Sequence, residues 1–322
     1  MSNILLYENP NRFVPYPIKH DDIWELYQKQ REAVWWDTDV IITSQDKADW
    51  EALTDNERYF LEHVLAFFAT ADGIVMENLA ERFMAEVQLP EARCAYTIQM
   101  LIEMVHSLVY AKLLDGYVAS EPRKQELIRA IQTVPAIKRK ADWAMEWICD
   151  EKSFAERLVA FACVEGIFFS GAFCAIFWLR ERGVLPALTF SNNLIARDEG
   201  MHVEAAVLYY TKYTERLSDE RVHEIILGAL EPERDFILSA LPCDLLGMNS
   251  KMMGEYINYV ANRLCIQLGH TPLFSEPLRQ PFPFMDRICM DVKENFFESR
   301  VSNYRMAVVD VDPDALDFDA DF

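Results

Sequence analysis

The stretch from Leu158 to Leu179 constrains this chain most. It reads LVAFACVEGIFFSGAFCAIFWL, and Glu165 is its only charged residue. An ionised carboxylate in an apolar interior costs more than a domain's net stability unless it is neutralised, paired or bound to metal. Taken alone, the stretch favours a protonated or Arg-paired structural Glu. A membrane span is another alternative, but the central Glu, the charged residues at both ends and the lack of a second such segment argue against it.

The charge balance and the cysteines limit the partners and the compartment. The chain has 31 basic and 52 acidic residues and a net charge of -21, which argues against nucleic acid and anionic membrane surfaces as partners. The seven Cys are scattered and never form a C-x-x-C pair, as is typical of a reducing compartment. Because the N-terminus lacks the basic start and apolar block of a signal peptide, we predict a cytoplasmic protein.

Long helices dominate the predicted organisation. Ten Gly and 14 Pro are few for this length, and we find apolar residues at helical spacing, without period-two strands or internal repeats. We expect an all-α protein with an irregular segment at 1–20, one helical domain at 21–300 and a flexible acidic tail at 301–322. The predicted helices cover 21–35, 46 or 54 to 87, 90–118, 122–133, 136–149, a helix that follows and ends near 182, 190–213, 218–241 and 248–268.

Three Glu-x-x-His pairs occur in the chain. Residues at i and i+3 lie on one helical face, so each pair can offer two ligands to one metal site. Six His and 52 acidic residues predict about one acid-x-x-His pair by chance, so the context must decide. The pair Glu220/His223 lies in a charged first turn and is set aside. The other two, Glu103/His106 and Glu199/His202, lie among apolar residues and are predicted to face the core.

Two further helices each carry an isolated buried acid, Asp72 in LAFFATADGIVM and Glu165. Together with the two pairs they provide four carboxylates and two imidazoles from four helices. This is the pattern of ferritin-like di-metal carboxylate bundles, except that Asp72 replaces one Glu. Four carboxylates balance two divalent cations, and oxygen donors with one imidazole per metal suit iron or manganese. The lack of Cys ligands argues against structural zinc.

Tyr110 is the next informative residue. It stands four residues after His106, about 6 Å further along the same helix, so its phenol can approach the metal pair and is a candidate for one-electron oxidation. A core Tyr hydrogen-bonded to Asp72 is a compatible alternative. Three side chains could form a dry pocket for such a radical or be plain core: Phe169, Phe173 and Ile195.

The C-terminal tail reads DVDPDALDFDADF from Asp310. Such an acidic segment cannot fold alone. Its spaced apolar residues, Leu316, Phe318 and Phe322, are typical of a docking peptide that orders on a partner. A solubility tail is the alternative.

Several of these segments together resemble the small, radical-generating subunit of class I ribonucleotide reductase. They are ADGIVMENLAERF, IEMVHSLVY, VEGIFFSGAF, LTFSNNLIARDEGMH and the terminal FDADF, and the resemblance covers nearly the whole chain. It implies that Tyr110 is the site of the stable tyrosyl radical. It also implies that Glu103 and Glu199 can bridge two metal ions, one held by Asp72, Glu103 and His106 and the other by Glu165, Glu199 and His202.

The resemblance also implies a relay for electrons and protons through His106, Asp198, Trp36 and Tyr304. Asp198 would take the outer N–H of His106, as acids next to metal-bound imidazoles do. Trp36 is chosen over its neighbour Trp35 from its spacing to the segment DKADWEAL. Tyr304 lies in VSNYRM, which is one residue shorter than the family pattern.

The function that the resemblance implies is reduction of ribonucleotides to deoxyribonucleotides. We expect Tyr110 to be oxidised by O2 at two reduced metal ions and the radical to pass to a cysteine of the large subunit, docked on the tail of a homodimer. The absence of a Gly-rich phosphate loop agrees with a chain that holds no nucleotide itself. The sequence leaves open iron, manganese or a mixed pair, and a flavoprotein activator. Another di-metal oxidase or oxygenase and a ferritin-like metal store are the alternatives.

Overall fold

The structure, a computed structural model, describes residues 3–148, 151–240, 250–276 and 278–285. Helices form this part of the chain, which contains no β-strand. The α-helices are α1 (Asp21–Glu32), α2 (Ser44–Ala52), α3 (Asp55–Asn78), α4 (Met84–Glu86), α5 (Pro90–Tyr117), α6 (Glu121–Ile128), α7 (Ala130–Thr133), α8 (Pro135–Glu146), α9 (Phe154–Cys163), α10 (Ser170–Glu181), α11 (Pro186–Tyr213), α12 (Asp219–Ala240) and α13 (Ser250–Gln267). Two π-helices span Leu79–Phe83 and Val164–Phe168, and two 3-10 helices span Ile4–Leu6 and Asp37–Asp39. Four residues singled out in the tail lie outside the described ranges: Tyr304, Leu316, Phe318 and Phe322.

Local sequence signals set several helix starts. Thr54 begins α3 with the predicted capping box, its side chain accepting from the Glu57 N–H, which satisfies a backbone donor that the first turn leaves free. Pro90 begins α5 as expected. The predicted start of α11 at residue 190 is wrong, because Leu185 has a φ of 54° and Pro186 already occupies the first helical turn. Proline suits that position since its missing N–H would have no helical partner.

Four helical segments enclose the centre of the core. Helix α3 packs along α5, and α11 packs against α9, α10 and α5. The π-helix Val164–Phe168 joins α9 to α10 and also lies against α11. Helix α12 packs on α8, α9 and α13 and covers this arrangement from outside. The four segments that carry the predicted metal ligands are therefore neighbours in the fold.

In the part of the chain that the structure describes, two helical segments are long and apolar enough to cross a membrane. They are Asp55–Glu86, with a mean hydropathy of 1.3, and Phe154–Glu181, with 2.0. The expectation of one such segment is therefore wrong. Their most apolar windows are 56% and 89% buried inside the protein, so packing in the core accounts for their composition.

Candidate metal centre

The six predicted ligands converge in the core, and none of them is more than 3% exposed. Helix α3 supplies one carboxylate, α5 and α11 each supply a carboxylate and an imidazole, and the π-helix supplies the remaining carboxylate. In chain order the six residues, here called the carboxylate cluster, are Asp72, Glu103, His106, Glu165, Glu199 and His202.

The carboxylate cluster divides into two groups whose ligand atoms lie within 4.8 Å of one another. One group is Asp72, Glu103 and His106, and the other is Glu103, Glu165, Glu199 and His202.

Two carboxylates face both imidazoles. Glu103 lies 2.8 Å from Nδ1 of His202 and 3.6 Å from Nδ1 of His106. Glu199 lies 3.1 Å from each of the same two nitrogens. A carboxylate has two oxygens and can contact a different ion with each. Glu103 and Glu199 therefore occupy the positions that bridging ligands need.

Several polar atoms of the cluster make no hydrogen bond of good geometry, even where a carboxylate lies close to an imidazole nitrogen. Buried polar groups in folded proteins are nearly always satisfied, so a concentration of unsatisfied atoms at one point indicates a missing ligand. Oxygen donors with one imidazole per metal are the set that iron and manganese accept, and the residues therefore fit a pair of such ions. The unsatisfied atoms are Asp72 Oδ2, both carboxylate oxygens of Glu103, His106 Nδ1, Glu165 Oε2 and Glu199 Oε1.

The electrostatics of the cluster also indicate a deficit of positive charge. Burial raises the pKa of Asp72 and of Glu165 well above the ordinary range, and the Glu103 and Glu199 carboxylates raise both further. Burial works against protonation of His202, but the same two carboxylates outweigh it and raise its pKa to about 10. Without cations the protein must hold protons here, because the negative charges otherwise repel one another.

The position of Glu165 depends on the π-helix Val164–Phe168, an irregularity that is frequent at functional sites. The sequence does not signal this change of helix type. Gln99 on α5 donates a hydrogen bond from its side-chain nitrogen to Oε1 of Glu165, at 3.3 Å. Sequence reasoning missed Gln99, although it stands four residues before Glu103 and so on the same helical face.

Tyr110 lies one turn beyond His106 in an apolar pocket. Its ring stacks on Phe68 at 4.5 Å, and Phe68 in turn lies 5.1 Å from Phe173 and 5.4 Å from Phe169 between ring centroids. The Tyr110 hydroxyl has no hydrogen-bond partner among the described residues, so the alternative of a hydrogen bond to Asp72 is not formed. Burial raises the pKa of Tyr110 well above its usual value.

Two of the expected pocket residues, Phe169 and Phe173, therefore lie behind Phe68, and Ile195 is also buried. These contacts fit both a dry pocket near the phenol and ordinary core packing. The ring in direct contact with Tyr110 is Phe68, which sequence reasoning missed. It stands four residues before Asp72 on α3, and the same spacing argument that selected Phe169 from Glu165 would have found it.

Asp198 joins His106 to a tryptophan, but this tryptophan is Trp35. Nε2 of His106 lies 3.1 Å from Oδ2 of Asp198, which confirms that expected contact, and the Trp35 indole N–H donates to the same oxygen at 2.7 Å. Trp35 is fully buried, whereas Trp36 is 47% exposed. The prediction that placed Trp36 next to Asp198 is wrong, because the backbone at Trp36 is extended and successive extended residues point in opposite directions. Arg197 holds the other oxygen of Asp198, at 2.8 and 3.0 Å.

The fold and the site together define a ferritin-like helical protein with a di-metal carboxylate centre. The sequence comparisons specify the family. Residues 12–281 match the family described as "Ribonucleotide reductase, small chain". The chain is 54% identical over 306 residues to the ribonucleoside-diphosphate reductase small chain of Trypanosoma brucei brucei, covering 95% of this chain and 90% of the relative. It is 49% identical over 319 residues to the small chain of Vaccinia virus (strain Ankara), covering 99% of each. The chain belongs to the ribonucleotide reductase small chain family.

Solved structures agree with this assignment. A ribonucleotide reductase homodimer from Saccharomyces cerevisiae superposes with a TM-score of 0.81 at 32% identity, covering 94% of this chain and 92% of the other. A dimanganese(II) protein from Streptococcus sanguinis superposes with a TM-score of 0.76 at 20% identity, covering 85% and 98%. At that identity the second likeness supports the fold alone.

Proposed function

We propose that this chain is the radical-generating small subunit of a ribonucleoside-diphosphate reductase and that Tyr110 carries the radical. The observation that carries the proposal is the position of the Tyr110 phenol. It has no hydrogen-bond partner among the described residues, lies among apolar rings and stands one helical turn from a cluster of buried metal-type ligands. Among the described residues Tyr96 and Tyr209 are also buried without a hydroxyl partner, so the adjacent cluster of metal-type ligands is what distinguishes Tyr110.

The carboxylate cluster would hold two metal ions per chain. Asp72, Glu103 and His106 would hold one ion and Glu165, Glu199 and His202 the other, and Glu103 and Glu199 lie close enough to both imidazoles to contribute to either site. When bound, a pair of redox-active ions supplies reaction with O2 and an oxidant strong enough to take one electron from a phenol. We propose iron, while manganese or a mixed pair would satisfy the same donors. The Streptococcus sanguinis protein of similar fold is a dimanganese(II) form.

The pocket residues would determine the lifetime of the radical. Tyr110 gives up an electron and its phenolic proton, and among the charged groups Asp72 acts most strongly on that phenol. The rings of Phe68, Phe169 and Phe173 exclude water from the other side. Reductants dissolved in water cannot reach a phenol that is 1% exposed, so the oxidised form can persist.

His106, Asp198 and Trp35 would form the exit route. The two hydrogen bonds of 3.1 and 2.7 Å to Oδ2 of Asp198 connect the cluster to the N-terminal part of the chain. When an electron leaves the indole of Trp35, its N–H proton can shift toward this oxygen. Trp36 would then play no part in transfer. Tyr304 remains the predicted next step.

The partner is proposed to be the large catalytic subunit, docked on the tail through Leu316, Phe318 and Phe322. We also propose a homodimer, which is the assembly of the similar Saccharomyces cerevisiae protein. A cytoplasmic location is part of the proposal, as is a flavoprotein activator if the native ions are manganese.

Reconstitution with a large subunit tests the proposal. We expect the metal-loaded chain to support deoxyribonucleotide formation, and a chain ending at Val309 to lose this activity while keeping its radical. Trp35→Phe should abolish turnover with the radical intact, and Trp36→Phe serves as the matched control that leaves turnover close to that of the parent. Turnover by the truncated chain would refute tail docking, and equal activity of the two tryptophan variants would refute the exit route.

A further inference from the structure

Lys140 on α8 and Glu233 on α12 form an ion pair in the interior, and both side chains are fully buried. The ammonium lies 2.6 Å from Oε2 of Glu233, 3.6 Å from the centroid of the Phe67 ring and 4.3 Å from that of Phe236. Desolvation of two charges in such surroundings is costly, and buried ion pairs can often be replaced by apolar residues without loss of stability. Stability alone therefore does not explain why the pair is here.

Both members of the pair also bind the backbone just after Glu165. Lys140 donates from Nζ to the carbonyl oxygen of Phe168 at 2.5 Å, and the N–H of Gly171 donates to Oε1 of Glu233 at 3.2 Å. Phe168 is the last residue of the π-helix and Gly171 lies in the first turn of α10. The pair thus spans the junction at which the helix changes its hydrogen-bond pattern, where buried backbone groups need outside partners.

Gly171 and a neighbouring cavity strengthen this interpretation. A Cβ at residue 171 would lie 2.6 Å from Oε1 of Glu233 and 2.5 Å from Cδ1 of Ile237, so glycine is needed for the N–H to reach the carboxylate. A cavity of about 20 Å3 lies against Lys140, Val164 and Phe168, next to both ends of the π-helix. The segment therefore has free space beside it and needs a restraint to keep one position.

We propose that the Lys140–Glu233 pair is a positioning device that fixes the π-helix Val164–Phe168 and, through it, the Glu165 carboxylate at the metal centre. The proposal rests on the proposed function, since it assumes that the carboxylate cluster binds two metal ions. Glu165 belongs to only one of the two ligand groups. Loss of the pair should therefore weaken one metal site and spare the site of Asp72, Glu103 and His106.

The double variant Lys140→Met/Glu233→Leu tests this. It removes both charges and both backbone contacts while keeping apolar volume. The desolvation cost that disappears with the ion pair offsets the unpaired Phe168 carbonyl and Gly171 N–H, so the protein should still fold. Titration of the metal-free protein with Mn(II) should give two sites per chain for the parent. For the variant we expect one site unchanged and the other about 10- to 100-fold weaker, the usual cost of losing support behind a ligand. Hydrogen exchange of a peptide that covers residues 164–173 should be faster.

Two further variants complete the design. Arg157→Met/Glu86→Leu removes an ion pair between α9 and α4, with Nη1 of Arg157 at 2.8 Å from Glu86, and should leave both Mn(II) affinities unchanged. Gly171→Ala should weaken the same single site as the double variant, because its new methyl group displaces Glu233, and it carries the test if the double variant does not fold.

The outcomes separate the inference from the proposed function. A parent protein that does not bind two Mn(II) per chain contradicts the proposed metal centre. If the parent binds two Mn(II) ions but Lys140→Met/Glu233→Leu and Gly171→Ala both keep its metal affinities and exchange rates, the positioning role is overturned. Equal weakening of the two sites in these variants overturns it as well.

Discussion

Two regions of the interior bury charged side chains, and they offset the cost of desolvating these charges in different ways. The Lys140–Glu233 pair contains one charge of each sign, and its donors and acceptors are matched to each other and to two backbone groups. The carboxylate cluster contains four acids and two imidazoles in which six polar atoms have no hydrogen-bond partner among the described residues.

The difference distinguishes charged side chains that stabilise the fold from charged side chains that are suited to bind metal. A matched pair needs nothing from solution, whereas an unmatched cluster folds only if protons or cations complete it. Burial by itself therefore does not identify a metal site, whereas several unsatisfied carboxylate oxygens and an imidazole nitrogen at one point indicate one. The following substitutions test the distinction by changing one member of each region.

Replacement of the shared carboxylate should have the largest effect. Glu103 belongs to both ligand groups, so Glu103→Gln should lose both ions, an effect larger than the about 10- to 100-fold cost of losing a residue behind a ligand. Glu233→Gln should keep two ions per chain at saturating metal. Equilibrium dialysis against excess metal measures the metal content of both variants, and two ions bound by Glu103→Gln would remove the distinction.

Single substitutions should affect stability in opposite directions in the two regions. Lys140→Met leaves Glu233 buried without its cation and should lower the free energy of unfolding of the metal-free protein by about 3–5 kcal/mol. Glu165→Gln removes a carboxyl that the other acids already disfavour in its charged form, and its metal-free protein should be at least as stable as the parent. Urea unfolding with a chelator present gives both values. A similar loss in both variants would contradict this account.

The acid behind His106 should matter for metal affinity as well as for stability. Asp198→Asn weakens the acceptor that orients the imidazole, so metal affinity should fall about 10- to 100-fold. Asp46, another fully buried acid, accepts from the Thr43 hydroxyl at the start of α2, from the Tyr117 hydroxyl and from the Ala187 N–H. Asp46→Asn should cost about 1–3 kcal/mol of stability, because an amide cannot accept all of these hydrogen bonds, and leave metal affinity unchanged. The affinity comparison fails if both variants bind metal like the parent.

The remaining effect should be a dependence on pH. Burial lowers the pKa of Lys140 to about 8 from 10.5, although Glu233 opposes the shift. Between these values the unfolded chain binds more protons than the folded protein, so the free energy of unfolding should rise with pH in this window. The free energy of unfolding in urea is measured at each pH for the parent and for Lys140→Met/Glu233→Leu. The difference between the two gives the contribution of Lys140 and Glu233. A difference that stays flat or falls across this window would show that the lysine keeps an ordinary pKa.

Most of the helical architecture could be predicted because helix starts and faces are local properties. Capping at Thr54, proline at the start of α5 and the apolar faces all follow from the sequence. The π-helix that presents Glu165 could not be predicted, since it depends on how the segment packs against α11 and α12 and on the contacts of Lys140 and Glu233.

The convergence of the carboxylate cluster could be predicted because the i, i+3 spacing and an apolar context are both visible in the sequence. The choice between Trp35 and Trp36 could not be made in this way. Spacing does not determine which of two adjacent residues turns inward, and the answer comes from the extended backbone at Trp36 and the buried acceptor of Asp198. Phe68 and Gln99 could have been predicted, since each stands four residues before a residue of the carboxylate cluster and so lies on the same helical face.

Electron paramagnetic resonance tests the central claim most directly. The protein would be loaded with Fe(II) without oxygen and then exposed to O2, next to a Tyr110→Phe variant loaded in the same way. The account predicts equal metal uptake by both proteins and a tyrosyl signal in the parent alone. A tyrosyl signal that persists in Tyr110→Phe, or a parent that takes up both ions and O2 without forming one, would contradict the assignment of Tyr110 as the radical site.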